Sequence, residues 1–104
     1  MKGKRNHMLT GKQRSYLKSL SNGLDTTVYI GKNELTDTVL GEMADYLRVH
    51  ELVKVKVQDN VDLPVKELAN EAARALKAEY VQAIGRRFVL YKKSDEAPVI
   101  VLPR

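Results

Sequence analysis

Cysteine and tryptophan are absent from this chain of 104 residues, and it contains only three prolines. Without cysteine the chain offers no disulfide, no thiolate ligand for a metal ion and no thiol nucleophile. No run of about 18 apolar residues occurs, so the sequence predicts no transmembrane span and no membrane partner. The basic N-terminus leads into a helical pattern and not into an apolar stretch, so we expect no signal peptide and a cytoplasmic location.

The short length predicts one small domain. A chain of this size buries about 65% of the surface that its unfolded state exposes, so the core is modest and neither a deep cleft nor a cofactor is expected. Residues 1–7 show no apolar periodicity and are predicted to form a flexible tail before a domain over residues 8–104. These features favour a compact binding module over a large enzyme.

Charge is unevenly distributed along the chain, whose formal net charge is +5. Residues 1–33 contain seven Lys or Arg and one acid, residues 34–79 contain six against ten, and residues 80–104 contain five against two. The two ends are therefore basic and the middle is acidic. This pattern favours a basic face built from both ends and a polyanion as the ligand, although a solvated tail and helix surface would give the same charges.

The first helix is predicted to begin after Thr10, whose hydroxyl caps the backbone while the Gln13 side chain returns the bond. Arg14 and Lys18 are four residues apart and are expected to point outward together. The opposite, apolar side is predicted to contain Leu9, Gln13, Tyr16, Leu17 and Leu20.

The remaining pattern predicts four strands and two more helices. The strands are expected at residues 27–30, 51–57, 80–84 and 87–91, and the helices to begin at Thr36 and Pro64. Lys54 and Lys56 alternate with valines and fall on the face away from the core, and Gly85-Arg86 suits a type II′ turn. The order α-β-α-β-α-β-β gives a single α/β (α+β) domain, a four-stranded mixed sheet packed with helices, with residues 97–102 as an extended tail or edge strand.

Catalytic groups are scarce. His7 lies in the predicted tail, and His50 stands alone at the junction of a helix and a strand, where one side chain makes neither a metal site nor a catalytic pair. The acids of the second helix lie on its solvated face. We therefore expect no enzyme and no metal site, with a small hydrolase that uses His50 as a third alternative.

The turn from Gly31 to Glu34 joins a strand to a helix. A glycine there lets the backbone approach a phosphate, the helix dipole favours negative charge, and Lys32 adds a cation. Glycine in such a turn also has a purely conformational explanation. Aromatic residues are few, and Tyr16, Tyr80 and Tyr91 are expected in the core or at an edge, so recognition would depend on phosphates and shape and not on stacked bases.

Five segments of the chain resemble the YhbY family, the stand-alone bacterial form of the CRM (chloroplast RNA splicing and ribosome maturation) domain. They are LTGKQRSYLKSL at 9–20, VYIGKNELT at 28–36, HELVKVKV at 50–57, VQAIGRRFVLYKK at 81–93 and LPR at 102–104. The resemblance implies a fold similar to the C-terminal domain of translation initiation factor three. It also implies RNA binding and association with precursors of the large ribosomal subunit.

The GxxG loop of this family corresponds to Gly31, Lys32, Asn33 and Glu34, so Glu34 stands where the pattern has its second glycine. A carboxylate in this position either repels a nearby phosphate or stabilises the dipole of the following helix.

We therefore predict a non-enzymatic RNA-binding protein that acts in assembly of the large ribosomal subunit, without DNA specificity; the pattern favours a monomer and leaves dimerisation through a sheet edge open. Arg14, Lys18 and Lys32 are the leading phosphate contacts. The other candidate RNA-binding residues are Gly31, Asn33, Lys12, Lys54, Lys56, Arg86 and Arg87. The competing hypothesis is a protein-interaction module that docks a ribosomal protein or another acidic partner, with incidental RNA contact.

Overall fold

The structure, a computed structural model, describes residues 9–96 and 98–104; the predicted tail at residues 1–7 lies outside them. Within these ranges the chain forms α1 (Gly11–Ser21), β1 (Val28–Ile30), α2 (Asp37–His50), β2 (Leu52–Val57), α3 (Val65–Leu76), β3 (Glu79–Ile84) and β4 (Arg87–Tyr91). The predicted order of elements is confirmed. None of the described helices combines the length and the apolar character needed to cross a bilayer.

The four strands form one mixed sheet in the order β1-β2-β4-β3. β1 runs parallel to β2, whereas β4 is antiparallel to both of its neighbours. Gly85 in the turn between β3 and β4 has a φ of 60°, while the φ of Arg86 is not positive, which is the predicted type II′ pattern. The strand order and pairing confirm the predicted mixed four-stranded sheet.

The larger core lies between one sheet face and the helices α2 and α3. Alternate residues of β2 are buried there because successive strand residues point to opposite faces. They are Val53, Val55 and Val57, and they pack with Phe88, Leu90, Met43, Leu47, Leu68, Ala69 and Ala72. As predicted, Thr36 caps α2 by accepting a hydrogen bond from the backbone of Val39. Pro64 is the N-cap of α3 and not its first helical residue, so this helix begins one residue later than predicted.

The smaller core lies on the opposite face, under α1. Thr10 and Gln13 form the predicted capping box, and Leu17 is fully buried. Leu17 packs with Leu9, Leu52, Val81, Val89 and Tyr91. The prediction that Tyr16 and Leu20 also face the core is wrong, because their side chains are 40% and 38% exposed. An 11-residue helix that rests on one end of the sheet needs only a narrow apolar stripe, and the rest of this sheet face stays uncovered.

Glu51 joins the end of α2 to the C-terminal segment. It has a φ of 66° and is fully buried. Its Oε2 accepts a hydrogen bond from the backbone N–H of Ser94 at 2.6 Å, and its Oε1 accepts from Val99 at 2.7 Å and Ile100 at 2.8 Å. Residues 98–104 of this segment form no strand, so the edge-strand alternative is wrong. The backbone N–H groups of Val99 and Ile100 donate to the Glu51 carboxylate and not to a neighbouring strand.

The pKa of the Glu51 carboxyl reflects two opposing effects. Burial acts to raise this pKa, but the backbone N–H groups of Ile100, Ser94 and Val99, together with the charge of Lys93, hold it below the ordinary value of 4.5. The ionised form is therefore more favourable in the folded protein than in the unfolded chain. Its contribution to stability is present above about pH 4.5 and is lost as the pH falls through the lowered value.

Substitution of this carboxylate should therefore destabilise the fold in a pH-dependent way. Because Glu51→Gln leaves at least one buried backbone donor facing an amide N–H, we expect the free energy of unfolding at pH 7 to fall by about 1–3 kcal/mol. Urea unfolding at several pH values measures it, and the difference from the unmodified protein should narrow below about pH 4.5. Glu42→Gln, at an exposed position of α2, is the matched control and should change the free energy by less than about 0.5 kcal/mol. A deficit that stays constant down to pH 3 would contradict this account.

Candidate nucleic-acid interface

A row of exposed and half-buried side chains crosses the uncovered part of the sheet face that carries α1. In the register of the strands, Tyr29 lies opposite Lys56, Lys56 opposite Arg87, and Arg87 opposite Ile84. Directly opposed residues point to the same face, so the four side chains lie side by side. We call this set the upper row.

A second row lies one step nearer to α1. It contains Lys54, Val89 and Gln82. Val89 is the one member of this row that packs in the smaller core under α1. A hollow of about 190 Å³ opens between these rows and the end of α1, lined by Asn22, Lys54, Gln82, Ile84, Arg87 and Val89. Neither row contains an acidic residue, so Lys54, Lys56 and Arg87 give this face a positive charge without a carboxylate among them.

Arg87 is also held by its neighbours. Its Nε donates a hydrogen bond to the hydroxyl of Thr26 at 3.2 Å, in the connection that leads from α1 to β1. A single bond of this kind fixes the side chain but leaves the other guanidinium donors available for a ligand. The sequence predicts Arg87 only as a secondary candidate.

The loop from Gly31 to Glu34 follows β1 directly. The backbone N–H of Glu34 donates to the carbonyl of Gly31 at 2.8 Å, which closes a tight turn with Lys32 and Asn33 exposed at its tip. Glu34 itself has a φ of 62°, a conformation that normally favours glycine. The chain therefore departs from the GxxG pattern in its side chain, while its backbone still adopts a glycine-like conformation at this position.

The loop lies at the same end of the sheet as the β3–β4 turn. Arg86, in that turn, directs its guanidinium at backbone carbonyls at the end of β2 and in the segment after it: Nε donates to Val57 at 3.2 Å, and Nη2 to Gln58 at 2.5 Å and Val61 at 3.1 Å. The side chain of Arg86 therefore holds this end of the domain together. Its bonds leave it less free to contact a ligand than the sequence interpretation assumed.

Arg14 and Lys18 lie along the other side of this surface. They line an open groove of about 720 Å³ beside β3, together with Lys66 and residues 79–84. Arg14 is half-buried and its guanidinium donates to the carbonyl of Tyr80, so the expectation that it points freely outward is wrong. Because Gln82 and Ile84 line both the groove and the hollow, the two basic regions are continuous.

Two other residues lie apart from this surface. Lys12 precedes Arg14 by two residues, which places it about 200° away around α1, so it does not share the groove. His50 stacks on the ring of Tyr46 with centroids 4.2 Å apart. Among the described residues no group of His, Asp and Glu is arranged to hold a metal ion.

Tyr29 is the residue that the sequence interpretation missed. Its side chain is 51% exposed, although both of its neighbours in β1 are buried. The alternation of Val28, Tyr29 and Ile30 is the signal that could have located it, since it places the ring opposite to the core. It lies directly beside Lys56, so the basic face also carries an accessible aromatic ring.

The comparisons with known proteins agree on one family. The CRS1 / YhbY (CRM) domain matches residues 9–92. An RNA-binding protein of Haemophilus influenzae is 45% identical over 97 residues, which cover 92% of this chain and 96% of that protein. The probable RNA-binding protein YqeI of Bacillus subtilis is 35% identical over 96 residues, which cover 92% of this chain and all of that protein.

A solved structure agrees with the fold. The solution structure of a Staphylococcus aureus protein, described as a candidate RNA-binding protein, covers 92% of this chain and all of its own, with a TM-score of 0.79 and 41% identity. The similarity thus extends from the sequence to the whole arrangement of helices and strands. On these grounds the chain belongs to the CRS1 / YhbY (CRM) domain family.

Proposed function

We propose that this chain binds RNA through the basic sheet face and the adjoining loop, and that it acts in the cytoplasm on precursors of the large ribosomal subunit. The CRM family is not a family of enzymes, and the alternative of a hydrolase that uses His50 is wrong. The observation that carries the proposal is the uncovered face, where Lys54, Lys56 and Arg87 lie together without a carboxylate in either row. The names of the relatives, which describe RNA-binding proteins, support it.

The spacing of these cations suits a phosphate backbone. Neighbouring strands lie about 4.8 Å apart, so the cations of β2 and β4 form a compact cluster that several phosphates reach at once. Arg87 offers a planar fork that binds phosphate with two parallel hydrogen bonds, and the lysines act as point charges. Lys32, at the tip of the loop beyond β1, extends the positive surface past the end of the sheet.

The competing hypothesis, docking of an acidic protein, would use the same cations. The two hypotheses differ in how the binding affinity is expected to depend on salt concentration and on substitution of these cations. RNA releases condensed counterions when phosphates are neutralised, which gives a steep and linear dependence of the logarithm of affinity on the logarithm of salt concentration.

The dependence of RNA affinity on salt should follow the number of phosphates that the protein neutralises. For four to six phosphates we expect a slope of about −3 to −5 against a structured RNA. Lys56→Ala and Arg87→Ala should each reduce the magnitude of the slope by about 1. Arg48→Ala removes an exposed cation from α2 that pairs with Asp45, and as the matched control it should leave the slope unchanged. Filter binding or fluorescence anisotropy over a salt series makes the measurement.

A slope near zero would overturn the phosphate model. Equal effects of all three substitutions would show that net charge and not the sheet face determines binding. The ribosomal part of the proposal has a separate test, since crosslinking in cells and sequencing of the attached RNA should recover unprocessed RNA of the large subunit. Recovery of unrelated RNAs alone would contradict that part and leave RNA binding in place.

Glu34→Gly should affect stability and affinity in the same direction. A residue other than glycine in the left-handed region is disfavoured by about 1–2 kcal/mol, whereas glycine loses up to about 1 kcal/mol of chain entropy. We therefore expect the free energy of unfolding to rise by about 0.5 kcal/mol. Asn33→Gly is the matched control, because the φ of Asn33 is not positive and glycine there should lower stability.

Removal of the Glu34 carboxylate should also raise RNA affinity a few-fold at low salt, because one relieved repulsion at an exposed site is worth about 0.5–1 kcal/mol. Lys32→Ala in the Glu34→Gly background should cancel most of this gain. If neither Glu34→Gly nor Lys32→Ala changes affinity in a folded protein, the loop is only a connection between β1 and α2 and the RNA site lies on the sheet face alone.

A further inference from the structure

Tyr29 occupies an unusual place for an aromatic side chain. It lies in the outermost strand of the sheet, half of it is exposed to solvent, and the core takes Val28 and Ile30 on either side of it. None of the described aromatic rings stacks on it.

The side chains that follow Tyr29 along the upper row have a definite order. Along the upper row the order of side chains is aromatic, cation, cation, aliphatic: Tyr29, Lys56, Arg87 and Ile84. Ile84 is 65% exposed at the far end of the row. Positive charge therefore lies in the middle of the row, with an accessible apolar surface at each end.

This arrangement matches the chemistry of an unpaired nucleotide chain. A single strand presents the faces of its bases together with its phosphates, and an exposed aromatic ring next to a cation engages both. A duplex buries its base faces by stacking and is recognised through its shape, phosphates and 2′-hydroxyl groups. Within a duplex, no base face is therefore free for the exposed ring of Tyr29 to stack on.

We propose that the upper row takes single-stranded RNA, with one base stacked on the ring of Tyr29 and the adjoining phosphates on Lys56 and Arg87. The inference rests on the proposed function and narrows its ligand to unpaired segments. The strand then runs across β2 and β4 toward the hollow, where the amides of Asn22 and Gln82 offer donors and acceptors to the edge of a second base.

The experiment compares an unstructured single-stranded RNA of 12 nucleotides with a duplex of about the same length. Tyr29→Ala should weaken binding of the single strand by about fivefold to a hundredfold and leave the salt slope unchanged, because stacking involves no counterion release. Tyr29→Phe keeps the ring and should retain affinity within about twofold. Tyr16→Ala, which removes an exposed tyrosine of α1, is the matched control and should have no effect.

Several outcomes would overturn the proposal. Loss of duplex binding equal to the loss of single-strand binding on Tyr29→Ala would exclude stacking on an unpaired base. A Tyr29→Phe variant as weak as Tyr29→Ala would assign the effect to the hydroxyl. If Tyr29→Ala has no effect while Lys56→Ala and Arg87→Ala still weaken RNA binding, the stacking inference fails and the proposed function stands. If none of the three changes binding, the proposed function itself fails. Circular dichroism and urea unfolding verify that each variant is folded.

Discussion

The two-faced character of β2 is the constraint on which the rest of the domain depends. It is a central strand, paired with the parallel β1 on one side and the antiparallel β4 on the other. Its valines enter the larger core, so the side chains between them must point to the opposite face, because strand residues alternate. Leu52 is buried on that face and Lys54 and Lys56 are half-exposed. A shift of the register by one residue would put both lysines into the core and the valines into solvent, so burial of the core and display of the charge are fixed by the same pairing.

Coverage of that second face decides which part of it can meet a ligand. α1 packs on it with little more than Leu17, and the C-terminal segment adds Ile100 and Leu102 to the same small core. The segment is kept there by the buried carboxylate of Glu51 and by Gln13, whose amide donates to the carbonyl of Pro103 at 3.1 Å. Both α1 and the C-terminal segment lie toward one end of the sheet. The upper row lies beyond them, and its exposure is a consequence of how short α1 is.

The sequence predicts what depends on local pattern and misses what depends on distant contacts. The capping box at Thr10, the cap at Thr36 and the turn at Gly85 involve residues close together in the chain, and all three are confirmed. Glu51 has no local signature, because its partners lie 43 to 49 residues further along. Arg86 has no local signature of its structural role either, because its acceptor carbonyls come from the end of β2 and the segment after it. Likewise, Tyr29 could be placed on a face from its alternation, but whether a helix covers that face depends on tertiary packing.

Two glutamates with positive φ differ in whether other groups of the protein bind their carboxylates. Glu51 and Glu34 both have positive φ, which is unfavourable for an L-residue, but only Glu51 has three backbone donors on its carboxylate. No hydrogen bond or ion pair involves the Glu34 side chain in the described part of the chain, so its negative charge remains beside Lys32 and offsets that lysine locally. The upper row has no such opposing charge. Because attraction to a polyanion follows the unopposed charge, we expect the sheet face and not the loop to carry the larger share of the proposed RNA affinity in this chain.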